Sequence, residues 1–384
     1  MASTQIHPSL TRSNVEAAHA LIKPHIHDTP VLTNTTLSNL ASTPQAAEAL
    51  EGTQWEGQEP VHPKINIFFK CENFQRIGAF KVRGAFHAVT RLIEKEGNHA
   101  QALALAARTF SIPAHIVMPT ISTPSKIAGT KAQNATVHFS GSTSTEREAV
   151  VATVINDTGA TLIPPYDHPN IILGQGTLAL ELQEQATKLL AQSSSGNSKL
   201  DAVIAPCGGG GMLSGIAIAL HGTGIRVFGA EPSFQGGDDA RRGVAAGERV
   251  TSVKTLTIAD GLRTPLGVHN WSVISKPEYV AGLFAVTEDQ IKKAMRLVLE
   301  RMKCFVEPSA VVGLAVVLFN EEFRGLVQRE AGEEGWNVGV VFSGGNTTVE
   351  AIGKIFAEVP EAVKERQEGV LGMDGGREVE NVAG

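Results

Sequence analysis

One lysine and two small-residue turns carry the chemistry that this sequence offers. Lys81 lies in the run Ala79-Phe80-Lys81-Val82-Arg83-Gly84-Ala85, and far downstream follow Gly208-Gly209-Gly210-Gly211 and Ser343-Gly344-Gly345-Asn346. An amine can bond covalently to an aldehyde, and glycine-rich turns can wrap their amides around an anion. The three features together predict pyridoxal 5′-phosphate, with Lys81 on the aldehyde, one turn on the phosphate and the other at the ring nitrogen.

The tetraglycine turn lies between an apolar strand at 201–206 and a helix at 213–220. Free amides and the helix dipole favour an anion there. The dinucleotide spacing G-x-G-x-x-G fails because Met212, Leu213 and Ser214 stand where glycine is required, and no Lys-Ser/Thr pair follows. A nicotinamide oxidoreductase and a nucleoside-triphosphate loop are therefore excluded, and a plain flexible turn is the alternative to a phosphate site.

Ser343 follows the apolar run 338–342 and precedes a helix that starts at Thr348. It stands at the carboxyl end of a strand, where open α/β sheets bind ligands. A hydroxyl there could bond a pyridine nitrogen without protonating it. A serine that only caps the helix is the alternative interpretation.

Strands and helices alternate through most of the sequence. Apolar strands are predicted at 66–70, 114–118, 161–163, 201–206, 226–230 and 338–342, and helices at 83–94, 146–157, 176–190 and 213–220. Continuous apolar strands separated by helices are typical of parallel sheets covered on both faces. The predicted class is α/β, with two three-layer α/β/α domains.

Composition limits the function classes. Hydrophobic residues make up 42% of the 384 residues, and the net charge of −6 gives no general attraction for nucleic acid or acidic membranes. Cys71, Cys207 and Cys304 are odd in number and far apart, which indicates a reducing compartment. No uninterrupted apolar stretch reaches 18 residues and no targeting segment is recognised, so we expect a cytoplasmic protein.

Six motifs together resemble one enzyme family. The order of Phe69-Lys70-Cys71-Glu72-Asn73-Phe74-Gln75, the Lys81 run, Gly97-Asn98-His99-Ala100-Gln101-Ala102, Gly174-Gln175-Gly176-Thr177, Gly208-Gly209-Gly210-Gly211-Met212 and Ser343-Gly344-Gly345-Asn346 is similar to that in the threonine dehydratase and serine racemase family. That family belongs to the tryptophan-synthase-β-like, or fold type II, pyridoxal-phosphate enzymes. The resemblance extends from about residue 26 to residue 356.

The resemblance implies a role for each matching residue. Phe80 would lie against the cofactor ring and Lys81 would form the Schiff base. Asn98 would contact the 3-hydroxyl of the ring, Gly97, Asn98 and His99 the substrate, and Ser343 the ring nitrogen. The phosphate would be held by the tetraglycine turn with Met212.

The resemblance also implies domains and further ligands. We expect a discontinuous large cofactor-binding domain at 1–86 and 165–384, a small domain at 87–164, and a homodimer acting on a small amino acid. Glu231, Asp239 and the carbonyl of Gly237 resemble a divalent-cation site for Mg²⁺ or Ca²⁺, although their spacing is wider than in the family, and a plain acidic loop is the alternative. Arg147 would reach the substrate carboxylate unless it is only a helix-surface arginine.

One segment departs from the family pattern. The family carries a strand ending in Thr-x-Ser-Ser before Gly-Asn-His, whereas here Arg91-Leu92-Ile93-Glu94-Lys95-Glu96 precedes Gly97. A helix at 83–94 leaves no room for a parallel strand, so the small domain is expected to lack one strand. Glu96 replaces the serine that serves as the second acid/base in racemases. A genuinely shortened chain and a sequence missing a coding segment both explain this.

The implied reaction is β-elimination, with dehydration and deamination of threonine or serine to a 2-oxo acid and ammonia. Alternatives are a cofactor-binding protein with impaired or lost catalysis, a serine racemase and, less well matched, a cysteine-synthase-like replacement enzyme.

Overall fold

The computed structural model describes residues 8–93, 101–122, 124–141, 144–192 and 198–357. Packing contacts group Met1–Thr347 into one compact unit and Thr348–Gly384 into a second. The two sheets lie in the first unit, and the division into a discontinuous large domain and a small domain at 87–164 stays a prediction. No helix in the described ranges is long and apolar enough to cross a membrane.

The strands form two sheets. They are β1 (Val31–Thr33), β2 (Ile65–Cys71), β3 (His115–Pro119), β4 (Thr136–Ser140), β5 (Ala202–Pro206), β6 (Arg226–Pro232), β7 (Gly282–Val286) and β8 (Trp336–Phe342). The larger sheet has the order β1-β2-β8-β5-β6-β7, and only β1 runs antiparallel to its neighbour. The smaller sheet is the parallel pair β3-β4.

Helices connect these strands. They are α1 (Arg12–Ile22), α2 (Thr35–Ser42), α3 (Lys81–Ile93), α4 (Gln101–Thr109), α5 (Pro124–Lys131), α6 (Ser144–Thr158), α7 (Pro169–Ala191), α8 (Gly211–Leu220), α9 (Asp239–Ala246), α10 (Val268–Ile274), α11 (Glu288–Leu297), α12 (Val312–Phe319), α13 (Glu321–Ala331) and α14 (Val349–Phe356).

The larger sheet is covered on both faces. Val203 and Ala205 of β5 belong to the core cluster that α7 and α8 complete. The opposite face meets α12, where Gly313 lies against Ile204. The predicted α/β class with a mostly parallel sheet is therefore confirmed.

Helix α7 touches both neighbouring helices at the level of the backbone. A Cβ added to Gly176 would lie 2.5 Å from the carbonyl oxygen of Gly215 in α8, and one added to Gly174 would lie 2.6 Å from the Cα of Gly84 in α3. Only glycine permits such approaches. Helix α7 therefore fixes α3, which Lys81 begins, relative to α8, which the tetraglycine turn begins.

The smaller sheet differs in part from the expectation. The strand predicted at 114–118 is β3, but Thr161-Leu162-Ile163 pairs with no strand in the described ranges and is not a strand. A buried apolar run satisfies the sequence signal, whereas a strand also needs a hydrogen-bonding neighbour. The described part of this sheet has two strands, α3 ends at Ile93 and α4 begins at Gln101, and the intervening Gly97, Asn98 and His99 lie outside the described residues.

A buried ionic cluster locks α3 to β2 and α7. The Arg83 guanidinium donates to both carboxylate oxygens of Glu72 at 2.7 and 2.8 Å and to both of Glu181 at 2.7 Å. Lys70 Nζ donates to Glu181 at 2.7 Å and to the carbonyl of Thr29 at 2.6 Å. Two buried cations thus face two buried carboxylates.

The protonation states follow from this arrangement. Burial alone would raise the pKa of Glu181, but hydrogen bonds from His19 and Arg83, together with the charges of Arg83 and Lys70, hold that pKa well below its ordinary range. Burial lowers the pKa of Lys70, and the charges of Glu181 and Glu72 oppose that shift.

We predict that Glu181→Gln lowers the free energy of unfolding by about 3–5 kcal/mol at pH 7, because it leaves buried cations without a partner. Since the pKa of Glu181 is depressed in the folded state, its contribution is complete above the unfolded carboxyl pKa of about 4.3 and disappears as pH falls through the lower folded value. Urea unfolding at pH 7 and below pH 4 should therefore give a difference between wild type and variant that shrinks in acid.

The matched control is Glu184→Gln on the same helix. Glu184 is exposed and paired only with Lys188 one turn away, so its removal should change stability little. Equal destabilisation by the two substitutions would contradict the role given to the buried cluster.

Candidate active site

The loop before Lys81 is hydrogen-bonded to the turn that contains Ser343. The amide of Phe80 donates to the carbonyl of Ser343 at 3.1 Å, and the amide of Gly345 donates to the carbonyl of Gly78 at 2.9 Å. Lys81 follows immediately at the start of α3, with Nζ 4.6 Å from the centroid of the Phe80 ring. Two predicted site residues that are far apart in sequence are therefore brought together.

A left-handed kink gives this loop its direction. Ile77 has φ 58° and Gly78 has φ 70°. A β-branched residue rarely adopts that conformation, so its neighbours must hold it. The Gln75 side chain does so on one side, by accepting from the amides of His27 and Arg76 at 2.9 Å.

Glu307 supports the Ser343 turn from below. Its carboxylate accepts from the amide of Asn346 at 3.1 Å, and its own amide donates to the carbonyl of Gly344 at 3.1 Å. Ser343 is 5% exposed at the carboxyl end of β8. The sequence patterns gave no signal for Glu307, because it comes from a loop between α11 and α12.

The tetraglycine turn is a cradle in which no side chain would fit. Gly210 has φ 89° and caps α8, while a Cβ on Gly209 would lie 2.4 Å from the Tyr166 ring and one on Gly208 2.9 Å from the Cα of Leu262. The first amides of a helix have no partner within that helix. Bare amides at a helix N-terminus fit the phosphate that was predicted here.

Met212 has a more limited role than its side chain suggests. It is 5% exposed and belongs to the core cluster between α8 and the sheet. Any contact with a phosphate would therefore use its backbone amide at the start of α8.

Asn270 and Asp167 brace the cradle, and sequence reasoning missed both. Asn270 Nδ2 donates to the carbonyl of Gly209 at 2.7 Å. The Asp167 carboxylate accepts from the amides of Val268 and His269 at 2.8 and 2.9 Å, which caps α10. The run Tyr166-Asp167 directly before Pro169 of α7 was the available signal, since a polar residue before a proline often marks a helix start.

Tyr166 links the cradle to Arg147. Burial raises the pKa of Tyr166, as does the charge of Asp167, whereas the charge of Arg147 acts in the opposite direction. The half-buried Arg147 in α6 is thus within electrostatic range of a ring that lies against Gly209. Its predicted contact with a substrate carboxylate stays a prediction.

The predicted cation ligands lie close together and are buried. Glu231 accepts from the amides of Ala240 and Arg241 at 3.0 and 2.8 Å, at the start of α9. Asp239 Oδ2 accepts from the amide of Leu266 at 3.3 Å, whereas Asp239 Oδ1 is buried without a hydrogen-bond partner. The wide spacing between the two carboxylates is taken up by a turn in which Gln235 has φ 50°.

The electrostatics of this acidic pair are those of a site short of positive charge. Burial raises the pKa of Glu231 well above its ordinary value, and the charge of Asp239 adds to the shift. Burial likewise raises the pKa of Asp239 to about 6. No group of three or more His, Cys, Asp or Glu side chains suited to a metal occurs in the described ranges, so a cation here would need carbonyl and water ligands as well.

Comparisons with known proteins agree with this geometry. The family model described as "Pyridoxal-phosphate dependent enzyme" matches residues 53–344. A serine racemase of Arabidopsis thaliana is 37% identical over 355 residues, covering 89% of this chain and 95% of the relative. An L-threo-3-hydroxyaspartate ammonia-lyase of Pseudomonas sp. is 38% identical over 335 residues, covering 82% of this chain and 97% of the relative.

Solved structures give the same result. Maize serine racemase superimposes with a TM-score of 0.75 at 32% identity, covering 94% of this chain and 99% of the other. A bacterial-type threonine deaminase, from T.th., gives 0.71 at 31% identity, covering 88% and 99%. The chain therefore belongs to the pyridoxal-phosphate dependent enzyme family, with the fold type II architecture.

Proposed function

We propose that this protein catalyses β-elimination of a small hydroxy amino acid, such as threonine, serine or 3-hydroxyaspartate, to a 2-oxo acid and ammonia. The observation that carries the proposal is the hydrogen-bonded joint between Phe80 and Ser343, which brings the lysine amine and the serine hydroxyl to one edge of the sheet. The ammonia-lyase relative and the threonine deaminase structure support the reaction type.

Each part of the site has a proposed task. Pyridoxal phosphate, when bound, supplies an electron sink for the negative charge that develops at the substrate α-carbon. The Lys81 amine would remove the α-proton from one face, and the Ser343 hydroxyl would accept or donate a hydrogen bond at the ring nitrogen without fixing a proton there. The amides of the tetraglycine turn would hold the phosphate.

The segment before Gly97 favours elimination over racemisation. Inversion at the α-carbon needs an acid/base on each face, whereas elimination needs one base. The family's second acid/base is a serine, and Glu96 stands in its place. Serine racemase nevertheless remains the second candidate function, because several relatives carry that name.

Cofactor binding should depend on the absence of a side chain at Gly209. We predict that Gly209→Ala weakens affinity for pyridoxal phosphate by at least tenfold, because the added methyl group meets the Tyr166 ring inside the cradle. Fluorescence or absorbance titration of the cofactor measures this. The control is Gly313→Ala, whose Cβ would make ordinary contacts of 3.5 Å or more; unchanged affinity in Gly209→Ala would remove the turn from the phosphate site.

The reaction itself is tested by incubating the purified protein with L-threonine, L-serine and 3-hydroxyaspartate. We expect 2-oxo acid and ammonia in equal amounts from the wild type, and neither product from Lys81→Ala. Borohydride should fix the cofactor to the wild type but not to that variant, whereas Lys64→Ala, which removes an exposed lysine, should leave both results unchanged.

Three outcomes separate the candidate functions. D-serine without 2-oxo acid would identify a racemase instead. Borohydride-fixed cofactor without turnover would identify a binding protein that has lost catalysis. A fixed adduct that persists in Lys81→Ala would refute the assignment of the lysine.

We also propose that Glu231, Asp239 and the Gly237 carbonyl bind Mg²⁺ or Ca²⁺. The unpartnered Asp239 Oδ1 and the buried carboxylate pair fit a hard cation that prefers oxygen ligands. Because the folded pKa of Asp239 is raised to about 6, its stabilising effect is complete below pH 4 and is lost as pH rises through 6. Ionised Asp239 therefore costs stability at neutral pH unless a cation compensates.

We predict that Mg²⁺ or Ca²⁺ raises the melting temperature of the wild type at pH 7.5, and that Asp239→Asn abolishes the increase. In chelator the variant should be at least as stable as the wild type, because it lacks the buried charge. The neighbouring Asp238, which is paired with Arg241 and Arg242, provides the control Asp238→Asn. A cation effect that survives in Asp239→Asn would contradict this ligand set.

A further inference from the structure

Two histidines of the smaller sheet point at each other across the strand pair. His115 of β3 and His138 of β4 share one face, because the register places Thr136 opposite His115 and Val117 opposite His138. Nδ1 of His115 lies 3.1 Å from Nε2 of His138. Both side chains are half-buried, so solvent reaches the pair.

The spacing of the two nitrogens is close to that of two ligands on one metal ion. Two imidazole nitrogens at about 2.0–2.1 Å from a tetrahedral Zn²⁺ lie roughly 3.3 Å apart. The two rings are inclined by 29°, with centroids 5.4 Å apart, so the nitrogens face each other almost head-on. Turning each ring about its Cβ–Cγ bond would direct both lone pairs at a common centre without moving the strands.

We propose that His115 and His138 bind a divalent transition-metal ion of the Zn²⁺ or Ni²⁺ class, with water completing the coordination. Imidazole suits these borderline metals, whereas Mg²⁺ and Ca²⁺ prefer oxygen. No further His, Cys, Asp or Glu completes a cluster of three in the described ranges, so the site is an open one with exchangeable positions. It differs from the acidic pair Glu231 and Asp239 in both place and ligand chemistry.

The consequence of binding is a cross-link between β3 and β4. The described part of this sheet consists of that pair alone, and a two-stranded sheet has little stability of its own. A metal that binds both imidazoles binds only the paired strands, so it stabilises the folded form by mass action. This role is independent of the cofactor and of the reaction proposed above.

The test uses the full-length chain as isolated, produced without a polyhistidine tag. Calorimetric titration with Zn²⁺ and with Ni²⁺ should reveal one site in the wild type, and each metal should raise the melting temperature. His115→Gln and His138→Gln should each weaken this site by at least about tenfold and remove the thermal shift. Mg²⁺ should produce no heat that depends on either histidine.

His221→Ala is the matched control, because His221 is a surface imidazole stacked on Tyr279 rather than on a second histidine. It should keep the site unchanged. Circular dichroism of the metal-free glutamine variants establishes that they fold, and Asn replacements serve if either glutamine variant does not. Equal binding by the wild type and a folded His115→Gln/His138→Gln protein would overturn the proposal and leave the pair as a hydrogen bond only.

Discussion

The placement of the reactive lysine depends on one buried guanidinium. Arg83 lies two residues after Lys81 and is held by both oxygens of Glu72 at one edge and both oxygens of Glu181 at the other. Glu72 follows β2 and Glu181 lies on α7, so this one side chain joins α3 to the sheet and to the central helix. Desolvating four charges is costly, and the arrangement is tolerable because its ionic hydrogen bonds are made.

Two further contacts complete the positioning. Glycine-to-glycine approaches set α7 against α3 and α8, and backbone hydrogen bonds join the loop before Lys81 to the Ser343 turn. The ionic cluster fixes the axis of α3, the glycines fix its distance from the phosphate cradle, and the loop fixes the point at which the helix starts. Together they bring three short sequence motifs to one edge of the sheet with little freedom between them.

Much of this could be predicted from the sequence, and the exceptions have physical causes. The strand–turn–helix pattern around the tetraglycine turn and around Ser343 is local, so apolar runs followed by small residues were enough to predict it. Helix α7 begins seven residues earlier than its apolar period indicated, because Pro169 occupies its first position and His168 caps it. The supporting residues Asn270 and Glu307 were not predictable, since their roles arise from tertiary contacts alone. The error at Thr161-Leu162-Ile163 has the same origin, because pairing cannot be inferred from a buried apolar run.

The hydrogen bond between Phe80 and Ser343 has a consequence for the order in which the chain can be assembled. Its two partners are separated by most of the sequence, and Ser343 follows the last strand of the larger sheet. That strand also occupies the centre of the sheet, between β2 and β5. During synthesis, the amino-terminal half therefore leaves the ribosome with Lys81 in a loop that has no turn to bind, and β2 has no partner on its inner edge. Competence to hold the cofactor is acquired only when almost the entire chain is available, which makes the site a product of long-range closure rather than of local folding.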